Sequence, residues 1–220
     1  CLLTFDEAKT LFHEFGHALH QFLSNVNFEM LSGTSVSRDF VELPSQWFEH
    51  WLESEEILKK FTCHYETKNN IPSKLLKNVI LSRTFNSGFD TTEYLASAIM
   101  DIKLHSEKTN SNPIKLEKTY LDKIGLTKAI YPRHNLAQFQ HIFSGGGYAS
   151  AYYSYMWSEM MDEDAYSAFV ETGNIFDKVT AKSFEKNILS KGGLKEPEIL
   201  YKAFRKKLPD PKILIKSRNL

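Results

Sequence analysis

The sequence predicts a mainly α-helical protein, and three observations support this fold class. Apolar residues recur at intervals of three and four along most of the 220-residue chain, which is the spacing of one helix face. Helix start signals precede several of these stretches, with a capping box at Thr4 and Glu7 and a start residue at Pro72. The turn residues of segment 86–88 (Asn-Ser-Gly) then break the pattern between two stretches.

The capping box predicts a first helix over residues 5–24. Thr4 offers its hydroxyl oxygen to the free N–H groups of the first turn, and Glu7 reaches back to the N-cap backbone. The apolar side chains along one face of this helix are spaced at i+3 and i+4, so we expect them to be buried. They are Leu11, Phe15, Ala18 and Phe22.

A second helix is predicted to begin near Glu42 and to run to Glu53. Pro44 suits its first turn, where a missing N–H costs little, and two tryptophans supply an apolar face. Between the two helices, the turn residues 32–35 (Ser-Gly-Thr-Ser) leave room for a short strand on either side. The predicted fold therefore includes a small β-sheet near the first helix.

Further helices complete the predicted fold, and they cover residues 54–67, 73–86, 91–106, 114–123, 149–170, 178–190 and 196–206. The connection 124–147 is long and rich in glycine, and long connections within compact domains are often functional. The basic, proline-containing tail 209–220 is predicted to lie on the surface as a strap.

Charge and composition exclude several classes of partner. The chain has 27 basic and 27 acidic residues, whereas proteins that bind nucleic acid or anionic membranes usually carry a basic excess. No apolar run approaches the roughly 20 residues that span a bilayer. The two cysteines, Cys1 and Cys63, form no CxxC motif, which favours a reducing compartment, so we expect a cytoplasmic protein. Because the chain opens without methionine and enters a helix almost at once, we expect it to be the C-terminal part of a longer protein, whose upstream residues could include a targeting segment.

His13, Glu14 and His17 form an HExxH motif within the first predicted helix. Residues at i and i+4 lie on one helix face, so the two imidazoles can reach a single metal ion. Glu14 stands beside them and can act as general base for the attacking water in metal-assisted hydrolysis. The motif is short enough to occur by chance. A polar trio set among apolar residues nevertheless needs a partner, and a metal ion satisfies it.

A catalytic zinc site usually has three protein ligands, so a third ligand must come from elsewhere in the chain. The metzincin pattern would place glycine and histidine where this chain has His20 and Leu23, which excludes that class. A carboxylate from a second helix is the other common solution, and Glu42 is well placed at the start of the next helix. Spacing alone leaves rivals open, namely Glu29, Asp39, Glu49 and Glu53.

Three tyrosines follow the glycine-rich connection. Tyr148, Tyr152 and Tyr155 stand at i, i+4 and i+7, so in a helix they share one face. Aromatic stripes of this kind usually belong to a hydrophobic core. A tyrosine hydroxyl beside a cleft can also stabilise the oxyanion that forms in amide hydrolysis.

The segments HEFGHALHQF, LSGTSVSRDFVELPSQWFEHW and HIFSGGGYASAYYSYMWSEMMDEDAY, in this order, resemble the thimet oligopeptidase (M3) family of zinc metallopeptidases. The resemblance covers essentially the whole chain. It implies a multi-helix zincin-type catalytic domain in which an HExxH helix is joined by a glutamate-bearing helix. It also implies one Zn²⁺ ion held by His13, His17 and Glu42.

The resemblance further implies roles for the glycine-rich loop and its tyrosines. In the family, tyrosines at these positions contact the substrate and the oxyanion, which assigns oxyanion stabilisation to Tyr152 and Tyr155 and substrate contact to Tyr148. The loop residues Gly146 and Gly147 belong to the same substrate-binding region. His141 is the nearest candidate for a substrate-binding histidine, although its offset from Tyr148 is longer than in the thimet branch.

The expected substrates are short peptides, because the active site of the family lies in a deep channel whose other wall is the N-terminal half of the same protein. The local sequence favours release of dipeptides from a free C-terminus, and internal cleavage of oligopeptides is the alternative within the family. A zinc-stabilised scaffold or an inactive fragment is the alternative of another class. A zinc aminopeptidase would carry a GxMxN segment, which this sequence lacks.

Overall fold

The computed structural model describes residues 2–108, 112–144 and 147–220. Within these ranges the structure is built from twelve α-helices. They are α1 (Phe5–Phe22), α2 (Arg38–Val41), α3 (Leu43–Glu53), α4 (Glu55–Phe61), α5 (Ser73–Ser82), α6 (Ser87–Ser106), α7 (Pro113–Lys123), α8 (Gln140–Phe143), α9 (Ser154–Val170), α10 (Lys178–Phe184), α11 (Pro197–Arg205) and α12 (Lys212–Ser217). A π-helical turn, Glu185–Leu189, continues α10. The mainly α-helical prediction is confirmed.

The first helix starts where the sequence predicts. The Thr4 hydroxyl accepts a hydrogen bond from the Glu7 N–H, and the Glu7 carboxylate accepts one from the Thr4 N–H, which completes the capping box. The predicted apolar face of this helix is wrong, because Leu11, Phe15 and Phe22 are exposed. The helix instead buries Gly16 and His20, since its polar side packs against α3.

The main hydrophobic core forms where α3 packs across α9, α10 and α11. The Trp47 ring stacks on Phe184 with ring centroids 4.1 Å apart, and it contacts Trp51 edge-on at 4.5 Å. Phe169 of α9 packs against both tryptophans. This aromatic cluster, with its buried aliphatic neighbours, holds α3 rigidly beneath the first helix.

A second, smaller core joins α6 and α7 to the chain that follows them. Met100 and Tyr120 are buried there, together with Phe139 and Ile142 from the connection after α7. Tyr152 completes this core and is only 4% exposed. The second core therefore fixes the glycine-rich connection against α6.

The predicted strands beside turn 32–35 are absent from the described residues, where the only β-pairing is an isolated bridge between Cys63 and Asn70. Residues Glu29–Leu31 form a 3₁₀ turn, and the Ser35 N–H then bonds back to the Ser32 carbonyl. These local hydrogen bonds use backbone N–H and C=O groups that pairing between β-strands would need.

The structure defines the tail more closely than the sequence does. Tail residues 212–217 form helix α12, which packs on α9 at the surface, and Arg218 beyond it pairs with Glu159. The predicted helix over 149–170 begins later, at Ser154, because turns occupy the preceding residues. Cys63 is exposed. None of the helices in the described ranges is both long and apolar enough to cross a membrane.

Candidate metal and catalytic site

Helices α1 and α3 cross at a glycine. Gly16 is buried, and a Cβ atom built on it would lie 2.5 Å from the Pro44 carbonyl oxygen and 2.5 Å from the Ser45 Cα atom. Only a residue without a side chain permits this approach. The crossing presents His13 and His17 to the N-terminal end of α3.

Three side chains that can ligate a metal meet at this crossing. The Nε2 atom of His13 lies 3.3 Å from the Oε2 atom of Glu42, and the Nε2 atom of His17 lies 3.2 Å from the same oxygen. One ligand atom from each residue falls within 4.8 Å of the other two. Glu42 is 3% exposed and directly precedes α3. The structure therefore brings together the three residues that the sequence pairs with a metal ion.

The electrostatics of this cluster fit a cation. Burial raises the pKa of Glu42, but hydrogen bonds from His13 and His17 outweigh it and hold the pKa below its ordinary value. Burial lowers the pKa of His13, while hydrogen bonds to Glu42 and Glu49 raise it, to about 9 overall. An ionised, buried carboxylate between two imidazoles attracts positive charge, and two histidines with one glutamate are a ligand set of catalytic zinc sites.

The second nitrogen of His13 is also held. Its Nδ1 atom lies 2.6 Å from the Oε1 atom of Glu49, one turn before the end of α3. The other Glu49 oxygen lies 3.2 Å from the Nζ atom of Lys9, which in turn reaches Glu53 at 2.9 Å. Glu49, an alternative ligand by spacing, therefore contacts the His13 ring and fixes its orientation, as carboxylates beside metal-binding histidines do.

Glu14 lies on α1 between the two histidines, and its side chain is exposed. This exposure leaves the Glu14 carboxylate accessible to water and to a substrate. Its position in the chain is the one that the HExxH motif gives to a general base.

The tyrosine segment, residues 147–155, contacts the cluster of His13, His17 and Glu42 through Tyr148. The Tyr148 hydroxyl donates a hydrogen bond to the Oε1 atom of Glu42 at 2.7 Å. The Tyr155 ring stacks on Tyr148 with ring centroids 5.3 Å apart, and Tyr152 contacts Tyr155 edge-on at 5.6 Å. Burial and the hydrogen bond to Tyr148 raise the pKa of Tyr155, which keeps its hydroxyl protonated and able to donate.

A cavity of about 640 Å³ opens beside this segment. His141 is exposed on its wall, and its ring lies 6.2 Å from Tyr148 and 5.8 Å from Tyr152, measured between ring centroids. Arg133 and Tyr155 line the same cavity. The structure thus places the predicted histidine among the predicted tyrosines.

Arg38 covers the outer face of the tyrosine segment. Its guanidinium lies 4.6 Å from the centroid of the Tyr148 ring, and a Cβ atom built on Gly147 would lie 3.0 Å from it. Gly147 therefore leaves room for this cation beside the segment. Gly146 lies outside the described residues.

The family model of the M3 peptidases matches residues 1–220, the whole length of this chain. The chain belongs to peptidase family M3. Its resemblance to the thimet oligopeptidase family, drawn from the sequence, is thereby confirmed.

Relatives of this M3 chain include a dipeptidyl carboxypeptidase and proteins named oligopeptidase A. It is 36% identical to dipeptidyl carboxypeptidase of Escherichia coli (strain K12), across 100% of this chain and 32% of that protein. It is 40% identical to oligopeptidase A of Salmonella typhimurium, across 94% of this chain and 31% of that protein. It is 36% identical to the organellar oligopeptidase A of Arabidopsis thaliana, across 28% of that protein. The chain spans about a third of the length of these relatives.

His20 lies on α1, one helical turn after His17. It is fully buried, and neither ring nitrogen has a hydrogen-bond partner among the described residues. Burial, with a smaller contribution from His17, lowers the pKa of His20 to about 4, so the ring is neutral. The spacing of the motif could not reveal this burial, because it depends on what packs against α1.

A second group of potential ligands, His50, Asp162 and Glu163, lies away from the HExxH cluster. The His50 Nε2 atom lies 2.6 Å from the Asp162 Oδ1 atom, and both residues are buried. The two side chains satisfy each other as a hydrogen-bonded pair between α3 and α9. Asp162 is buried and Glu163 is partly buried.

Proposed function

We propose that the complete protein is a zinc-dependent peptidase that hydrolyses short peptides. The observation that carries this proposal is that the imidazoles of His13 and His17 and the hydroxyl of Tyr148 all contact the ionised Glu42 carboxylate. Membership of a peptidase family supports the reaction class.

In this proposal, His13, His17 and Glu42 hold one Zn²⁺ ion. When bound, the ion lowers the pKa of a water molecule and polarises the scissile carbonyl. Glu49 keeps the His13 ring in place through its hydrogen bond to Nδ1.

The remaining steps belong to protein side chains. Glu14 removes a proton from the attacking water and delivers it to the leaving amine. Tyr155 and Tyr148, whose rings are stacked beside Glu42, supply hydroxyl donors for the oxyanion and the substrate. Tyr152, which is 4% exposed, lies deeper in the cavity wall and supplies a further hydroxyl donor for the oxyanion. His141 and Gly147 line the path of the substrate backbone.

We further propose that cleavage releases dipeptides from a free C-terminus. The cavity beside Tyr155 contains the guanidinium of Arg133, which is 53% exposed and is 3.5 Å from its acidic partner Glu93. A cation with a weakly held partner can bind a peptide carboxylate. The name of one relative, dipeptidyl carboxypeptidase, agrees with this mode, whereas oligopeptidase A represents the alternative. In this proposal the rest of the protein supplies the other wall of a peptide channel.

Mass spectrometry of peptide products tests the mode of cleavage. A short unstructured peptide is incubated with the complete protein, with and without a chelator, and a C-terminally amidated copy serves as control. A ladder shortened by two residues at a time, absent with the amide, is the expected result. Internal cuts that persist in the amidated peptide would overturn dipeptide release and would make the protein an oligopeptidase. Hydrolysis that survives the chelator would overturn the metal-dependent mechanism.

A further inference from the structure

Most of the tyrosine segment, residues 147–153, lies before α9, which begins at Ser154, so the helix holds only the last two residues of the segment. Ser150, in the middle of the segment, has a φ of 59°, in the left-handed region that a residue with a side chain seldom adopts. Such a conformation persists only when its surroundings impose it. The residues that impose it lie on α6.

Asp101 of α6 is fully buried and binds the backbone of this segment with both carboxylate oxygens. Its Oδ1 atom accepts a hydrogen bond from the Ser150 N–H at 2.9 Å, and its Oδ2 atom accepts one from the Tyr152 N–H at 2.9 Å. His105, one turn later on α6, lies 2.9 Å from the same Oδ1 atom. Among the described residues, no lysine or arginine forms an ion pair with Asp101, so these contacts satisfy the carboxylate.

Tyr94, two turns earlier on α6, binds the same segment at its next turn. Its hydroxyl donates a hydrogen bond to the Tyr152 carbonyl at 2.5 Å and accepts one from the Met156 N–H at 3.2 Å. Its ring stacks on the Tyr152 ring at 5.3 Å. Asp101 and Tyr94 therefore bind the backbone on both sides of Tyr152.

We propose that Asp101 is a positioning residue that sets where the Tyr148 and Tyr155 hydroxyls lie. The carboxylate touches neither the metal ligands nor the cavity, and its effect passes through the backbone of Ser150 and Tyr152. The catalytic consequence rests on the proposed peptidase function, whereas the structural consequence does not.

Hydrogen–deuterium exchange tests the structural part without any activity. Asp101→Asn keeps the shape of the side chain but turns an NH₂ group towards one of the two backbone N–H donors. We expect backbone exchange in residues 147–155 to rise by about tenfold or more, with α3 unchanged. Ser97→Ala is the matched control, because Ser97 is equally buried on α6 and its hydroxyl bonds only within that helix. Unchanged exchange in a folded Asp101→Asn protein would overturn the proposal.

Tyr94→Phe provides a second variant if Asp101→Asn does not fold. It removes only the hydroxyl that joins Tyr152 to Met156 and keeps the stacked ring. The same acceleration of exchange is expected in residues 147–155. Exchange equal to that of the wild-type protein would contradict the account.

A double-mutant cycle tests the catalytic part in the zinc-loaded complete protein. We expect Asp101→Asn to lower kcat by about 10- to 100-fold with zinc content unchanged, because small misplacements of a catalytic group have effects of this size. In a Tyr148→Phe/Tyr155→Phe background the further loss should be less than about threefold, since Asp101 acts through these two hydroxyls. Losses that multiply would show that Asp101 does not act through the two tyrosines. If the wild-type protein hydrolyses no peptide at all, the proposed function fails, and the exchange experiment still decides the role of Asp101.

Discussion

The Cα atom of Gly16 faces the Pro44 carbonyl so closely that a Cβ atom added to it would lie 2.5 Å from that oxygen. This glycine sets the distance between the helix with the two histidines and residues Pro44 and Ser45, which lie two and three positions after Glu42. The space between α1 and α3 therefore determines the size of the metal site.

Gly16→Ala should push the two helices apart. Overpacking of this kind destabilises proteins by about 1–3 kcal/mol, and here it should also weaken metal binding because both imidazoles move relative to Glu42. Thermal unfolding and a zinc titration measure the two effects. Gly88→Ala is the control, since its Cβ would meet only a Leu220 side-chain atom at 3.8 Å. A Gly16→Ala protein with wild-type zinc affinity would show that this contact does not define the site.

Glu49→Gln should weaken zinc binding by about 10- to 100-fold, because a neutral amide holds the His13 ring less firmly than a carboxylate. A competition titration against a chromophoric chelator measures the change. Glu56→Gln, at an exposed position of α4, should leave the affinity unchanged. Equal affinities for the two variants would contradict an orienting role for Glu49.

Tyr155→Phe should lower kcat by about 10²- to 10³-fold because an oxyanion donor is lost, and Tyr148→Phe should lower kcat because a substrate contact is lost, with zinc content preserved in both variants. Tyr153→Phe is the matched control in the same segment. Its hydroxyl donates a hydrogen bond to Asp39 at 3.2 Å, and its side chain is 36% exposed. Steady-state kinetics on one peptide distinguish the three variants. A loss for Tyr153→Phe as large as for Tyr155→Phe would contradict the assignment.

His20 should make the stability of the protein depend on pH. Its pKa falls from 6.5 to about 4 on folding, so below pH 6.5 the unfolded chain binds a proton that the folded protein does not. The stability present above pH 6.5 is therefore lost as the pH falls towards about 4. Between about pH 7 and pH 4.5 the wild-type protein should lose roughly 2 kcal/mol more than a His20→Leu variant.

Urea unfolding of both proteins in the presence of a chelator measures this difference without a contribution from metal loss. Parallel pH profiles would show that the buried ring does not titrate as proposed. The two His20 ring nitrogens make no hydrogen bond, so His20→Leu loses none. Near neutral pH the variant should therefore not be destabilised by a broken hydrogen bond.

Local spacing predicted one side of α1 correctly and the other wrongly. The i and i+4 positions of His13 and His17 follow from helix geometry alone, and the structure places both against Glu42. The predicted burial of Leu11 and Phe15 was wrong, because burial depends on what packs against the helix. The close approach at Gly16 turned the polar side inward instead, and a sequence pattern does not record such a contact.

The groups that hold the tyrosine segment could not be predicted for a similar reason. Asp101 lies about 50 residues before Ser150 in the chain, and its hydrogen bonds are to backbone N–H groups, which any residue type offers. Tyr94 likewise contacts a carbonyl and an N–H. By contrast, the prediction of Glu42 as the third ligand came from the family resemblance, because spacing alone left four other carboxylates open.

Glu14→Gln tests the central claim most directly, by peptide hydrolysis and zinc content measured on the same preparation of the complete protein. We expect the variant to hold one zinc ion, like the wild-type protein, and to lose turnover by at least about 10²-fold, the contribution of a general base. The wild-type activity should disappear with a chelator and return with zinc. A zinc-loaded Glu14→Gln protein that hydrolyses peptide near the wild-type rate would contradict the account.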